Sequence, residues 1–356
     1  MCKEETKKLL IKHYQTYPKL QIRDILKFLH QSAFGCEHLI LDFFAVTEYI
    51  RNEAMECQIH EGELIEPLDG EYCRVHLDYI KQGLNAETLG KLFCLSAVHN
   101  ENGKQLLEEK LSVLLELIKE GTLPFKERDV REAIEEWKAD GFPACHHSEE
   151  FRNAYFPAYR VIKKEYALFL SLFVKIDNML QRGSVNLAIE GGCASGKSTL
   201  GKLLKQVYDC TVFHMDDFFL QPKQRTRERL EEPGGNVDRE RFLQEVLSPL
   251  SQNIPIEYRS FDCHTLTLQP SIMLFPKKLN VVEGVYCMHP ELELYYNLSV
   301  FLDITPKQQK ERIRKRNSKE LAERFFNEWI PMDQRYFEAM DVKKRCDINI
   351  EIGTLQ

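Results

Sequence analysis

The stretch Ala188-Ile-Glu-Gly-Gly-Cys-Ala-Ser-Gly-Lys-Ser-Thr199 holds Gly191, then four residues, then Gly196, Lys197 and Ser198. That spacing suits an anion. Glycines let backbone N–H groups curl around a phosphate, and a helix opening at the end of the loop adds its partial positive charge. Gly191, Gly192, Cys193, Ala194, Ser195, Gly196, Lys197, Ser198 and Thr199 are therefore read as the cradle of a nucleoside triphosphate. Lys197 would reach the outer phosphates, and Ser198 would ligate Mg²⁺. The motif requires a strand before it and a helix after it. Val185–Ile189 reads as a buried strand and Leu200–Tyr208 as a helix.

A phosphate loop serves switches, motors and kinases alike, so other residues must decide. A guanine-reading switch needs Asn-Lys-x-Asp, and the nearest stretch, Asn317-Ser-Lys-Glu320, does not match. A motor normally carries an apolar strand ending Asp-Glu, whereas Leu279-Asn-Val-Val-Glu283-Gly284 ends in a single Glu. After the second strand comes Phe213-His-Met-Asp216-Asp217-Phe-Phe219. A carboxylate there faces the crevice beyond the strands' C-terminal ends. Phosphoryl transfer needs the acceptor hydroxyl oriented or deprotonated and the transferred charge neutralised. Asp216 suits the first task, Lys197 with Mg²⁺ the second. The blander reading of Asp216-Asp217 is a helix N-cap with a first-turn acid. Arg312 and Arg316, four apart on the helix after Asp303, share a face and could close over the triphosphate. They could equally form a solvated basic face.

The elements that must hold these residues fall in two halves. Residues 1–180 read as an all-α domain, with apolar positions at helical spacing in Leu9–Tyr17, Gln21–Ser32, Cys36–Glu56, Ala86–Val98, Gln105–Glu120 and Glu127–Asp140. Arg160–Met179 reads as one long apolar helix. Residues 181–356 alternate strands and helices, as in a parallel, doubly wound α/β sheet. The strands expected are Val185–Ile189, Thr211–His214, Ile256–Arg259, Leu279–Val282, Leu298–Leu302 and Ile348–Ile352.

The 356 residues suffice for two such domains, and 43% hydrophobic with 29% charged residues fits a globular protein. A net charge of −7 argues against a nucleic-acid partner. No apolar run approaches the roughly 20 residues of a membrane span. The N-terminus lacks a signal-peptide core, and the 11 scattered cysteines read as reduced thiols, so a cytoplasmic setting is expected. Cys145-His146-His147 lacks the paired spacing of a zinc site.

The second half resembles the uridine kinase and phosphoribulokinase branch of the P-loop kinases, over roughly residues 185–352. His214-Met-Asp216-Asp-Phe-Phe219 is similar to that family's Gln-Asp-Ser-Phe-Tyr segment, which implies Asp216 as the base. Asn236-Val-Asp238 resembles its Asn-Phe-Asp, implying that Asp238 hydrogen-bonds the acceptor's hydroxyls. Val282-Glu283-Gly284 resembles the strand ending Phe-Glu-Gly, implying Glu283 near Mg²⁺; Arg312 and Arg316 match two lid-helix arginines. The family's Tyr-Asp-Phe-x-x-His-Ser survives loosely as Ser260-Phe261-Asp262-Cys263-His264-Thr265, which puts Phe261 and Asp262 at the substrate. The Pro-x-Ala of the family is replaced by Arg239-Glu240-Arg241, and Asn317 stands where an Asp usually ends the lid helix. Arg225, Arg227 and Arg229 alternate just after the expected base, and Arg225 is counted with the substrate residues for an anionic acceptor. The resemblance implies an ATP- and Mg²⁺-dependent kinase of a small hydroxylated metabolite, with a uridine-like nucleoside foremost.

In the first half, Gln21, Asp24, Lys27 and Gln31 sit at helical spacing before Glu37-His38. Glu66, Asp69 and Arg74 form a second polar group, and His146-His147-Ser148 with Arg152, Tyr155, Tyr159 and Arg160 a third. These polar clusters look excessive for a scaffold. Two further readings follow: a nucleotide-binding regulatory module with a helical docking domain, or a bifunctional enzyme with a second site in the helical half. ATP or GTP preference and oligomeric state are left open.

Overall fold

The computed structural model describes residues 3–36 and 42–353. They form two compact units, Met1–Val174 and Lys175–Thr354, divided within the helix Leu170–Leu180. Glu37-His38 lies outside the described residues.

The first unit is mainly helical, with Lys3–Thr16, Ile22–Phe34, Phe43–Glu56, Ala86–Ser96, Gly103–Lys119 and Glu127–Ala139 as its main helices. It departs from the all-α expectation in one place. Strands β1 (Ile65–Pro67), β2 (Tyr72–His76) and β3 (Tyr159–Lys163) pair in an antiparallel sheet, in that order. β3 also corrects the long helix expected over Arg160–Met179: the chain is extended to Lys163, turns through Lys164–Ala167, and is helical again from Leu170. The β-branched Val161 and Ile162 pair with Arg74 and Cys73 of β2 and are fully enclosed, a setting where stiff side chains favour a strand. β2 is buried at every position, so it gives no alternation to read.

The second unit is built on β4 (Val185–Glu190), β5 (Cys210–His214), β6 (Leu279–Glu283), β7 (Leu298–Asp303) and β8 (Ile348–Glu351). All neighbours run parallel in the order β8-β7-β4-β6-β5. The chain therefore steps from β4 to one side and later returns to the other, so a crevice opens at the C-terminal end of β4, where ligands of such sheets bind. With the phosphate loop after β4, this is the α/β P-loop kinase fold. Four of the six β4 residues are fully enclosed apolar side chains, the near-continuous run expected of a strand covered on both faces.

The strand expected at Ile256–Arg259 lies outside this sheet. Ile256–Tyr258 pairs antiparallel with Ile272–Leu274, and Phe261–Asp262 with Thr267–Leu268. Pro255 and Pro270 bracket the segment, and a residue without an N–H confines a strand to an edge. Phe213, Met215, Phe218, Phe242, Val246, Tyr258 and Tyr336 share a core cluster that anchors the turn after β5.

Candidate active site

The loop after β4 takes its shape from positions only glycine fills. Gly191 has φ +144° and Gly196 φ +104°, and a Cβ on Gly191 would stand 2.6 Å from the Leu302 carbonyl oxygen. The helix Lys197–Val207 begins directly after Gly196. The loop's carbonyls are tied back. Lys197 Nζ donates to Gly191 O at 2.8 Å and Gly192 O at 3.0 Å, Gln309 Nε2 to Cys193 O at 2.8 Å, and Arg312 Nη1 to Ala194 O at 3.2 Å. Tying back these carbonyls fixes the loop's backbone, the preorganisation an anion cradle needs.

Beneath the loop lie two buried carboxylates that sequence reasoning missed. Glu190 accepts from the backbone N–H of Gly191 at 2.9 Å and Met288 at 3.1 Å, and from the Tyr336 hydroxyl at 3.1 Å. Burial nonetheless pushes its pKa up, to about 7. Asp333 accepts from Cys193 N at 3.2 Å, Cys193 Sγ at 3.0 Å and the Tyr286 hydroxyl at 3.0 Å, and burial raises its pKa as well. Glu190 stands directly before Gly191 in the sequence, whereas Asp333 is reached only by folding.

At the end of β6, Glu283 meets His214 Nδ1 at 2.6 Å and lies close to Ser198. Burial opposes its charge, but His214, Ser198 and the charge of Lys197 bring its pKa below the ordinary carboxylate value. His214 is raised in turn, chiefly by the Glu283 hydrogen bond. Asp216 sits on the turn Met215–Phe218, open to solvent in the crevice. Partial desolvation by the protein around it raises its pKa; Lys197 opposes that, while Glu283, Asp217 and Asp333 reinforce it. Neither acid of the pair caps a helix, because the N-cap position of that turn is His214, which makes no side-chain cap. Asp217 instead accepts from the Tyr258 hydroxyl at 2.5 Å. Ser198, Glu283 and Asp216 are hydroxyl and carboxylate oxygens, the donors Mg²⁺ takes, and Ser198 and Glu283 lie close together.

On the acceptor side the expected residues separate. Arg225 is exposed, and its Nε donates to Leu220 O at 3.0 Å. Among the described residues it makes no ion pair, whereas Arg227 is paired with Glu231 at 2.7 Å and Arg229 holds Glu240 through two bonds of 2.8 Å. The charges of Arg225 and Asp216 both reach Cys263 in the Phe261–Leu268 hairpin. Phe261 is buried, and Asp262 accepts from His264 N at 2.7 Å, shaping the hairpin tip. Asp238 is enclosed and accepts from Arg241 N at 3.1 Å, as the N-cap of Arg239–Phe242, and from Gln224 Nε2 at 2.8 Å. Arg241 stacks 3.9 Å from the Phe218 ring centroid and donates to Asp217 O at 3.0 Å. Arg316 lies over the Phe325 ring at 5.6 Å, one turn beyond Arg312.

In the first unit the scattered polar residues are drawn together. Asp24 holds His147 Nδ1 at 2.9 Å and Ser148 Oγ at 2.6 Å, and His147 Nε2 meets the Tyr159 hydroxyl at 2.6 Å. Arg74 stacks on the Tyr159 ring at 4.6 Å, donates to Gln31 at 2.9 Å and pairs with Glu66 at 3.4 Å. Burial lowers the His147 pKa to about 4, leaving the ring neutral at pH 7. Asp69 stands apart, in a buried pair with Lys110 at 2.6 Å.

No family model matches the chain, and no curated protein matches it. Solved structures of small P-loop kinases align with about half of it. A Bacillus stearothermophilus structure described as a possible uridine kinase is 22% identical, covering 51% of this chain and 99% of its own, with TM-score 0.39. A structure named for a fructose transport system kinase, from Silicibacter sp. TM1040, is 21% identical over 49% of this chain and 96% of its own, with TM-score 0.41. Shikimate kinase from Bacteroides thetaiotaomicron is 14% identical over 48% and 88%, with TM-score 0.26. Among the described residues no helix is long and apolar enough to cross a membrane.

Proposed function

We propose that the chain is an ATP- and Mg²⁺-dependent phosphotransferase acting on a hydroxyl of a small metabolite, with a uridine-like nucleoside as the leading acceptor class. The observation that carries this reading is the convergence at the ends of β4, β5 and β6. The loop lysine, a hydroxyl close to a carboxylate, and a second carboxylate on its own turn stand at the same end of the sheet. A nucleotide switch would use the first two and has no need of Asp216.

Lys197 and Arg312 serve the triphosphate, and Arg316 closes over it as the lid helix moves. Ser198 and Glu283 would supply oxygen donors for Mg²⁺, whose charge would offset that of the phosphates. Asp216 orients the acceptor hydroxyl and takes its proton; its raised pKa makes it a stronger base than an ordinary aspartate. Asp238 fixes the acceptor loop, while Phe261, Asp262 and Arg225 flank the acceptor itself.

The test is ADP release from the full chain with Mg²⁺-ATP, screened against nucleosides, sugars, sugar phosphates and hydroxy acids. One acceptor should raise release well above background and yield a matching phosphorylated product. Lys197→Ala should abolish that turnover. Asp216→Asn should keep ATP affinity and lower kcat by at least ~10²-fold, the low end for losing a general base. Near-normal turnover in Asp216→Asn removes its assigned role, and tight ATP binding with no stimulating acceptor removes the kinase reading.

A further inference from the structure

The polar cluster of the first unit contains an arrangement that a scaffold does not need. His60, Glu66 and His76 offer one ligand atom each, and all three atoms lie within 4.8 Å of one another. Glu66 Oε1 is 2.8 Å from His76 Nε2 and 3.9 Å from His60 Nε2. The two imidazoles stack nearly parallel, 3.6 Å between centroids and 15° between planes. Beside them is a void of about 10 Å³, walled by these three residues with Tyr17, Arg74 and Tyr159 among others. That is room for one water molecule or one ion. Arg74 is fully enclosed, and its Nη2 has no hydrogen-bond partner among the described residues. A buried guanidinium nitrogen left bare is costly, and marks a missing oxygen ligand.

We propose that His60, Glu66 and His76 bind a divalent transition-metal ion, forming a second ligand site on the helical unit. Two imidazoles and one carboxylate select borderline ions such as Zn²⁺ or Fe²⁺ over Mg²⁺ and Ca²⁺, which prefer oxygen throughout. Three protein ligands, not four, leave positions open, as in catalytic and not structural zinc sites. His60 and Glu66 also line a cavity of about 260 Å³ with Lys12, His13 and Tyr17, so the open side has space for a small ligand. His13 adds a second enclosed, unpartnered nitrogen in that wall.

The surrounding contacts suit the ion. Tyr17 donates its hydroxyl to Glu66 Oε1, and Arg74 Nη1 holds Glu66 Oε2 at 3.4 Å, which fixes the carboxylate. Arg74 repels a cation. Its bare Nη2 can instead donate to an oxygen bound on the metal, so the ligand favoured at the open positions is a small oxyanion.

The test uses the full chain, stripped with a chelator and titrated with Zn²⁺ or Co²⁺ alone. One equivalent should bind, Co²⁺ should give the visible absorption of a low-coordinate site, and Zn²⁺ should raise the melting temperature of the first unit, followed at Trp137. His60→Ala and His76→Ala should each lose the equivalent, with far-ultraviolet circular dichroism checking the fold. Lys197→Ala, in the phosphate loop, should keep it. Failure to bind Zn²⁺ or Co²⁺, or retention of the equivalent in the His60→Ala/His76→Ala double variant, overturns the proposal. Because the readout is metal binding, it stands or falls separately from the kinase reading.

Discussion

Replacing Gly191 by alanine tests whether the loop after β4 is shaped for a triphosphate. At φ +144° an L-residue is strained, and such backbone strain costs about 1–3 kcal/mol. The added Cβ would also meet Ser195 Oγ at 3.0 Å and the Leu302 carbonyl oxygen at 2.6 Å. The hydroxyl can rotate away. The carbonyl cannot, because Leu302 sits in the β7 ladder opposite Ile350. The loop itself must give way, turning its N–H groups from the concavity. If the whole of that strain is restored on binding, Mg²⁺-ATP affinity falls by roughly 5- to 150-fold. Titration calorimetry of the full chain measures it, with Gly183→Ala as control, where a Cβ meets nothing within 4 Å. A dissociation constant within twofold of wild type in Gly191→Ala would refute the idea that this loop shape holds the phosphates.

Three more expectations follow from the site. Arg225→Ala should raise the acceptor KM while leaving ATP affinity alone, and Arg227→Ala, paired outward with Glu231, should change neither; equal effects of the two would count against Arg225 as an acceptor contact. Glu283→Gln should raise the Mg²⁺ concentration needed for half-maximal turnover, and an unchanged Mg²⁺ profile would take Glu283 out of the metal site. Glu190 gives a pH dependence with a definite sign. Its carboxyl is raised from 4.5 to about 7, so the native state holds the proton more tightly. The stability it contributes is complete below pH 4.5 and is lost as pH rises through 7. The shift corresponds to about 3 kcal/mol at most. Denaturant unfolding of the second unit, followed at Trp329 in a Trp137→Phe background, should weaken from about pH 5 to pH 8. That slope should be markedly shallower in Glu190→Gln.

The legible parts of this chain were those written locally. The phosphate loop announces itself because its glycines, lysine and serine are contiguous, and the strand and helix around it follow from runs of adjacent residues. The parallel strands were legible for the same reason: each carries its apolar residues in one short stretch of chain. Asp333 was not, because its partners Cys193 and Tyr286 are 140 and 47 residues away in the chain. Nothing in Met332-Asp333-Gln334 distinguishes it from a surface acid. The first unit's sheet was hidden in two ways. β1 is three residues long and holds Pro67, and β3 continues into a helical pattern that absorbed it. Its polar residues were visible as separate clusters, but their joining through Tyr159 needed the β2–β3 pairing that puts Tyr159 opposite His76.

The departures from the kinase pattern carry their own argument about the acceptor. Where the family has Pro-x-Ala, this chain has Arg239-Glu240-Arg241, and both arginines are used internally. Arg239 pairs with Glu232 at 2.8 Å and Glu291 at 3.1 Å; Arg241 braces the turn bearing Asp216 through Asp217 O and Phe218. The Asp238 carboxylate, the expected reader of sugar hydroxyls, is enclosed and already accepts from Arg241 N and Gln224. A group so committed can steady the acceptor loop but has little left to offer a ligand. On the proposed reading, recognition passes instead to Arg225 and the Phe261–Leu268 hairpin, whose Cys263 feels the charges of both Arg225 and Asp216. An arginine free of any carboxylate among the described residues favours a phosphate or carboxylate on the acceptor. Sugar phosphates and hydroxy acids therefore belong beside nucleosides in the acceptor screen. A clear preference for the anionic acceptors, lost in Arg225→Ala, would show that this half keeps the kinase's chemistry while its acceptor pocket has been rebuilt.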